Sequence, residues 1–229
     1  MTIGGIQKLS LLDFPDHTCC TLFTQGCNFR CPFCHNTPLI KNVGEQAFPF
    51  SEILDFLKSR KGLLDGVCIS GGEPLSQRGL EDFIVQIKKL GFLVKLDTNG
   101  SFPEKLQSLA EKKLIDYVAM DIKNAPEKYA ATAGVCDIDI EPIKESAAFL
   151  MQDTVPYEFR TTVVKELHTE SDIESVGRWL HGANRYFLQS FVASENVLCP
   201  GMTACSPAEM QRFLEIVKIY IPGAELRGI

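Results

Sequence analysis

Six short runs of apolar, β-branched or aromatic residues recur along the chain with amphipathic stretches between them. They fall at 18–25 (TCCTLFTQ), 66–70 (GVCIS), 92–97 (FLVKLD), 116–121 (DYVAMD), 157–164 (YEFRTTVV) and 185–191 (RYFLQSF). Runs of this length bounded by turn residues read as strands, and strands alternating with helices imply a parallel sheet with right-handed crossovers. The clearest stretch between them is 76–90, where Leu80, Phe83, Ile84, Ile87 and Leu90 share one helical face and Gly91 supplies the stop. Capping boxes at Ser171 with Glu174, and at Ser206 with Glu209 around Pro207, open two more helices. Six such units predict an α/β fold, an incomplete (βα)6 parallel barrel.

At 229 residues, with no internal repeat, low-complexity tract or linker, residues 1–229 are expected to form one domain. Hydrophobic residues make up 45% of the chain and the net charge is -6, which leaves no broad basic surface to neutralise phosphates. Nucleic acid is therefore not an expected partner. The opening MTIGGIQKLS lacks a basic start followed by an apolar core, and no apolar run approaches the roughly 18 residues of a membrane helix. A cytoplasmic protein with no membrane partner is expected. Nine cysteines, an odd number, fit reduced thiols and metal ligation better than a disulfide framework.

Parallel α/β folds place their chemistry at the carboxyl ends of strands. A cysteine-rich loop, TQGCNFRCPFCHN, follows the first strand, and GGEP (71–74) follows the second. Asp97 with Thr98-Asn99-Gly100 closes the third, and Asp121-Ile122-Lys123 closes the fourth. Arg160 and Gln189 lie within the fifth and sixth strands, where a buried polar side chain needs a partner. Asp97 and Asp121 also have an ordinary reading, as caps of the helices that follow.

Cys27, Cys31 and Cys34 form a C-x3-C-x2-C run. Thiolates suit zinc or an iron-sulfur cluster, and a closed site of either kind takes four protein ligands. Cys68 sits in an apolar strand and reads as a small buried hydrophobe; the adjacent Cys19 and Cys20 must face opposite sides of theirs. A cluster on the three loop cysteines would keep one iron open for a further ligand. The alternative is a zinc knuckle completed by His35 or a distant cysteine.

On these residues the chain resembles the radical S-adenosylmethionine (SAM) enzymes. In that family three cysteines hold a 4Fe-4S cluster, and the amino and carboxylate groups of SAM chelate the fourth iron. Phe33 matches an aromatic residue that precedes the third cysteine, and Gly71-Gly72-Glu73-Pro74 matches a motif that receives the SAM amino group. More narrowly, FTQGCNFRCPFCHN with His35-Asn36, LDTNG (96–100) and MDIK (120–123) are similar to activases of glycyl radical enzymes. The likeness extends to the longer form of the activating proteins of anaerobic ribonucleoside-triphosphate reductase.

The resemblance implies one cluster and SAM as cofactors, in a partial barrel of the radical SAM type. Phe33 and His35 would support the adenine, with Cys34 and Asn36 beside them in the SAM pocket, and Gly71, Gly72 and Glu73 the methionine end. Asn99, Asp121, Ile122, Lys123 and Arg160 would complete the pocket. Asp97, Thr98 and Asp121 match positions that, in the pyruvate formate-lyase activase, hold a monovalent cation against the SAM carboxylate. Three departures stand out. Asp13-Phe14-Pro15-Asp16 replaces a glycine-rich loop of relatives; Val192 stands where a relative has a SAM-contacting histidine, leaving Gln189 as the substitute; and residues 37–65 carry no cysteines for a further cluster. Cys199 and Cys205 read either as packing residues or as a thiol near the active rim.

The implied chemistry is reductive cleavage of SAM, with hydrogen abstraction from a glycine of a partner enzyme, most of all the anaerobic reductase. Flavodoxin or ferredoxin would donate the electron. Three alternatives remain: activation of another glycyl radical enzyme such as pyruvate formate-lyase, a small-molecule enzyme like the deazaguanine synthases, and a non-catalytic electron carrier.

Overall fold

The structure, a computed structural model, describes residues 1–41 and 47–228. Its strands are β1 (Ile3–Ser10), β2 (Cys19–Thr24), β3 (Gly66–Gly71), β4 (Leu93–Thr98), β5 (Tyr117–Asp121), β6 (Tyr157–Val163), β7 (Tyr186–Ser190) and β8 (Ala224–Arg227). The helices are α1 (Thr37–Lys41), α2 (Phe50–Ser59), α3 (Leu80–Lys89), α4 (Pro103–Glu111), α5 (Tyr129–Ala133), α6 (Glu141–Leu150), α7 (Glu170–Trp179) and α8 (Pro207–Lys218). All eight strands join one sheet in sequence order, and β2 to β8 run parallel. The two ends of the sheet, β1 and β8, do not pair, so the barrel stays open.

The six expected strands are β2 to β7. The two outer strands are additions. β1 pairs antiparallel to β2, and its pattern is blurred by Gly4, Gly5 and three exposed residues from Gln7 to Leu9. β8 has four residues and lies on β7 with Leu188 opposite Leu226. Neither carries the apolar density that marks a central strand.

The two faces of the sheet differ in kind. Laterally paired residues of parallel strands share a face, and Leu22, Ile69, Leu96, Val118, Phe159 and Leu188 all point outward into the apolar layer under the helices. α3 covers part of it with Leu80, Phe83, Ile84 and Ile87, each burial contributing about 1.5–3 kcal/mol. The inner face carries Cys68 opposite Lys95, Lys95 opposite Tyr117, Asp97 opposite Ala119 and Asp121 opposite Arg160. Its lower end is plugged by Phe14, Cys19, Cys68 and Tyr117, so the loop that departs from relatives supplies the stopper. Cys20 faces the outer layer, opposite to Cys19, as strand alternation requires.

Helix ends follow the sequence with two corrections. α8 opens on the expected box, Ser206 N donating to Glu209 Oε2 at 2.7 Å. α7 opens two residues earlier than the Ser171/Glu174 pair suggested: Thr169 is the cap and Asp172 its reciprocal partner, with Thr169 N donating to Oδ2 at 2.8 Å. The same Asp172 carboxylate accepts from Lys128 at 2.7 Å, which fixes the earlier start. α3 begins at Leu80, because Pro74–Ser76 forms a separate short 3-10 turn; Gly91, at φ 94°, ends it.

Candidate active site

The loop after β2 is fixed by backbone contacts. Gly26 N donates to Leu39 O at 2.8 Å, Arg30 N to Ala133 O at 2.9 Å, and Glu73 N to Gly26 O at 2.9 Å. Two glycines make this packing possible. A Cβ on Gly72 would lie 1.9 Å from Gly26 O, and one on Gly134 would lie 2.1 Å from Arg30 O. The second glycine of GGEP is thus required by contact between two loops. Leu198 N and Cys199 N donate to Cys34 O and Pro32 O at 3.2 and 2.8 Å, so the chain after β7 also braces the cysteine loop. Cys199 is half-buried on that brace, and Cys205 is buried in the apolar layer.

One cavity of about 260 Å³ opens above the inner face. Cys27, Cys31, Cys34, Phe33, His35 and Asn36 line one side of it; Gly71, Gly72, Asp97, Thr98 and Asn99 continue the wall. Asp121, Lys123, Arg160 and Gln189 complete it. Two expected residues are not there. Ile122 is fully buried in the apolar layer, since it alternates with Asp121 and Lys123. Glu73 is buried with its carboxylate spent on Leu75 N, Thr98 Oγ1 and Asn99 N at 2.9, 2.8 and 2.7 Å. It ties the ends of β3 and β4 together behind the wall. Burial pushes its pKa up to about 7, outweighing those hydrogen bonds. The sequence reading missed Phe29, Ile40, Ser70 and Thr162. Thr162 had a signal, lying two residues along β6 from the expected Arg160.

Side chains around the cysteines are already engaged. His35 Nδ1 meets Ser194 Oγ at 3.3 Å and its ring lies 5.3 Å from that of Phe191. Asn36 Nδ2 donates to Gly71 O at 3.1 Å, and Asn99 Nδ2 to Asn28 Oδ1 at 2.9 Å. Burial pushes the Cys27 thiol up to about 12 and raises that of Cys31. Thiolates placed here need a strongly positive partner.

Across the cavity stands an ion cluster. Arg160 Nη1 lies 3.3 Å from Asp97 Oδ2, and Arg160 Nε donates to Asp121 Oδ1 at 2.9 Å. Lys95 pairs with Asp97, and Lys123 with Asp121 at 3.0 Å. Burial alone would raise both acids; the facing cations hold Asp97 below the usual carboxylate range and Asp121 down at about 2. Neither aspartate caps a helix, α4 having Phe102 at its N-cap position. Lys95, which sits two residues before Asp97, was missed in the sequence. Of the expected cation ligands, Thr98 has turned its hydroxyl to Glu73. Val192 is 65% exposed, and Gln189 lines the cavity near it in sequence.

An open parallel α/β barrel with one thiol-lined cavity at its strand ends defines the class. Residues 21–180 match the radical SAM superfamily, and the chain belongs to it. A protein of Methanocaldococcus jannaschii provisionally named a glycyl-radical enzyme activating enzyme is 36% identical over 99% of this chain and 96% of its own length. The pyruvate formate-lyase-activating enzyme of Clostridium pasteurianum is 32% identical over 55% of this chain and 53% of its own. Among solved structures, Streptococcus suis SuiB bound to S-adenosylmethionine superposes with a TM-score of 0.71 at 16% identity, covering 90% of this chain and 49% of SuiB, a likeness of fold. No helix among the described residues is long and apolar enough to cross a membrane.

The family implies SAM and a 4Fe-4S cluster. The residues present fit such a cluster. Three soft donors, Cys27, Cys31 and Cys34, line one cavity, the donor type that iron-sulfur clusters take. A monovalent cation fits this cluster poorly: every oxygen of Asp97 and Asp121 already accepts from a protein donor, the cationic Lys95, Lys123 and Arg160 among them.

Proposed function

We propose that the chain is a radical SAM activase that places a radical on a glycine of a partner enzyme, with anaerobic ribonucleoside-triphosphate reductase as that partner. The observation that carries the reading is the single cavity in which Cys27, Cys31 and Cys34 face Asn99, Asp121 and Lys123. The likeness to the M. jannaschii protein over nearly the whole chain supports the activase class. A 4Fe-4S cluster held by Cys27, Cys31 and Cys34 would supply the electron for reductive cleavage of SAM, the chemistry from which abstraction of the partner's glycine hydrogen would follow. Flavodoxin or ferredoxin is the proposed donor of that electron.

The chain's own residues hold and orient. Cys27, Cys31 and Cys34 would carry the cluster, and Glu73 fixes the two loops beside it at 2.7–2.9 Å contacts. Phe33, His35, Asn36, Gly71, Gly72, Asn99 and Gln189 would wall SAM, while Lys123, 6.0 Å above the Phe33 ring, keeps a positive charge between the two sides. Asp97, Asp121, Lys95 and Arg160 are spent on one another, which leaves few free polar groups for a small substrate and favours a peptide loop entering the open barrel.

Electron paramagnetic resonance on an anaerobic mixture of reduced protein, SAM and the reductase tests the reading. A doublet on the reductase that disappears when its radical glycine is changed to alanine is the expected result. SAM cleavage with no radical on any glycyl radical enzyme of the same organism would favour a small-molecule substrate.

A further inference from the structure

The cavity floor is an ion cluster in which one planar side chain reaches two acids. Arg160 projects from β6 and meets Asp97 of β4 and Asp121 of β5, with contacts of 3.3 and 2.9 Å. The other Asp97 oxygen is taken by Lys95, and Ser70 Oγ adds a hydrogen bond of 3.0 Å to the one Arg160 meets. The other Asp121 oxygen is taken by Lys123 at 3.0 Å. Thr98 donates to Glu73 at 2.8 Å, and the neighbouring Glu158 is committed to Arg227 at 2.8 Å.

We propose that Arg160 is a built-in counter-cation: its guanidinium stands between Asp97 and Asp121, in the place a monovalent cation would take, so that the pocket needs neither Na⁺ nor K⁺. A hard cation requires several oxygen ligands, and every oxygen of these two carboxylates already accepts from Lys95, Lys123, Arg160 or Ser70, so a cation would have to compete with those donors. Three cationic side chains, Lys95, Lys123 and Arg160, face two carboxylates, so the cluster holds one positive charge in excess and repels a further cation. A guanidinium suits the role. It keeps its proton at any working pH, its fork matches carboxylates, and its weak hydration lowers the cost of a side chain only 14% exposed. The excess charge would serve the carboxylate of SAM, and only this last point rests on the proposed function.

The test compares the full chain in KCl, NaCl and tetramethylammonium chloride at equal ionic strength, by melting temperature and by ²³Na line width. The parental protein is expected to melt alike in all three salts and to leave the sodium line unbroadened. Arg160→Gln leaves the two aspartates facing each other without their shared cation. Its melting temperature is expected to rise in K⁺ or Na⁺ relative to tetramethylammonium, and adding Asp97→Asn should cancel that response. A parental chain stabilised by K⁺ or Na⁺, with the response lost in Asp97→Asn, overturns the proposal. So does a folded Arg160→Gln variant indifferent to the salt. Should that variant fail to fold, the parental salt comparison decides alone. Failure to bind SAM in every salt would overturn the proposed function while leaving the melting comparison to judge Arg160.

Discussion

The two sides of the cavity are built by different means. On the cysteine side, loops are pinned by backbone hydrogen bonds and by glycines whose missing side chains let carbonyls approach, Gly72 against Gly26 and Gly134 against Arg30. On the other side, strands β4, β5 and β6 present charged side chains locked in ion pairs. Shape governs the first side and charge the second. A change of volume should therefore damage the cysteine side most, and a change of charge the other.

The largest effect is expected at the ligands. Replacing any one of Cys27, Cys31 or Cys34 by alanine should abolish cluster absorption, iron content and SAM cleavage together. Cys68→Ala should keep all three at a packing cost of about 1 kcal/mol, because its thiol lies in the buried plug with Phe14 and Tyr117. Loss of iron in that variant would mean the ligand set is wrong.

Next comes Gly72→Ala, a single methyl on the side governed by shape. Its Cβ would sit 1.9 Å from a backbone carbonyl that cannot swing away, so one loop must move. A stability loss of about 1–3 kcal/mol or more, with reduced iron loading, is expected. Normal loading and melting would show that the loops are not held by this contact.

On the charged side, Asp121→Ala and Lys123→Ala should retain the cluster and weaken SAM binding about tenfold, or about 1.4 kcal/mol. The ion pair they break is partly exposed, 33% and 16%, so its structural cost should stay well below that of a fully buried pair. Isothermal titration with SAM on the loaded protein checks this. Parental affinity in both would remove these residues from the pocket.

The same division explains what could be read from the sequence. The cysteine side was legible because its chemistry lies in consecutive residues, 24–36, whose spacing alone limits the metal group. The charged side was legible only in part. Asp97, Asp121 and Arg160 could be placed at strand ends, but their mutual pairing depends on sheet register, which brings Asp121 opposite Arg160. Lys95 was passed over because a lysine inside an apolar run has no meaning until its partner is known. Membership of a motif also did not fix direction: Ile122 and Glu73 sit among pocket residues and point away from the cavity. β1 and β8 escaped because edge strands need little apolar density, and the α7 start because two overlapping box signatures lie two residues apart.

Glu73 lies in the seam between the two sides, bonding the ends of β3 and β4, and its titration gives the smallest expected effect. Its folded pKa is raised to about 7 from an ordinary 4.5, with burial as the main cause. A raised folded value means the folded chain holds the proton more tightly than the unfolded chain. The stabilisation is thus full below about pH 4.5 and is lost as pH rises through about 7. Lys123 and the donors Thr98, Leu75 and Asn99 oppose the shift without cancelling it. His168, held neutral by burial, acts in the reverse sense, but equally in both proteins compared. Glu73→Gln is neutral at every pH, so its melting temperature should decline less than the parental one between pH 5 and 8, measured on the iron-free chain. At neutral pH the two should differ by about 1 kcal/mol, since the amide loses one accepting oxygen while the cost of a buried charge disappears. Parallel pH profiles for the two proteins would mean that Glu73 stays ionised in the fold, and that the seam belongs with the charged side of the cavity.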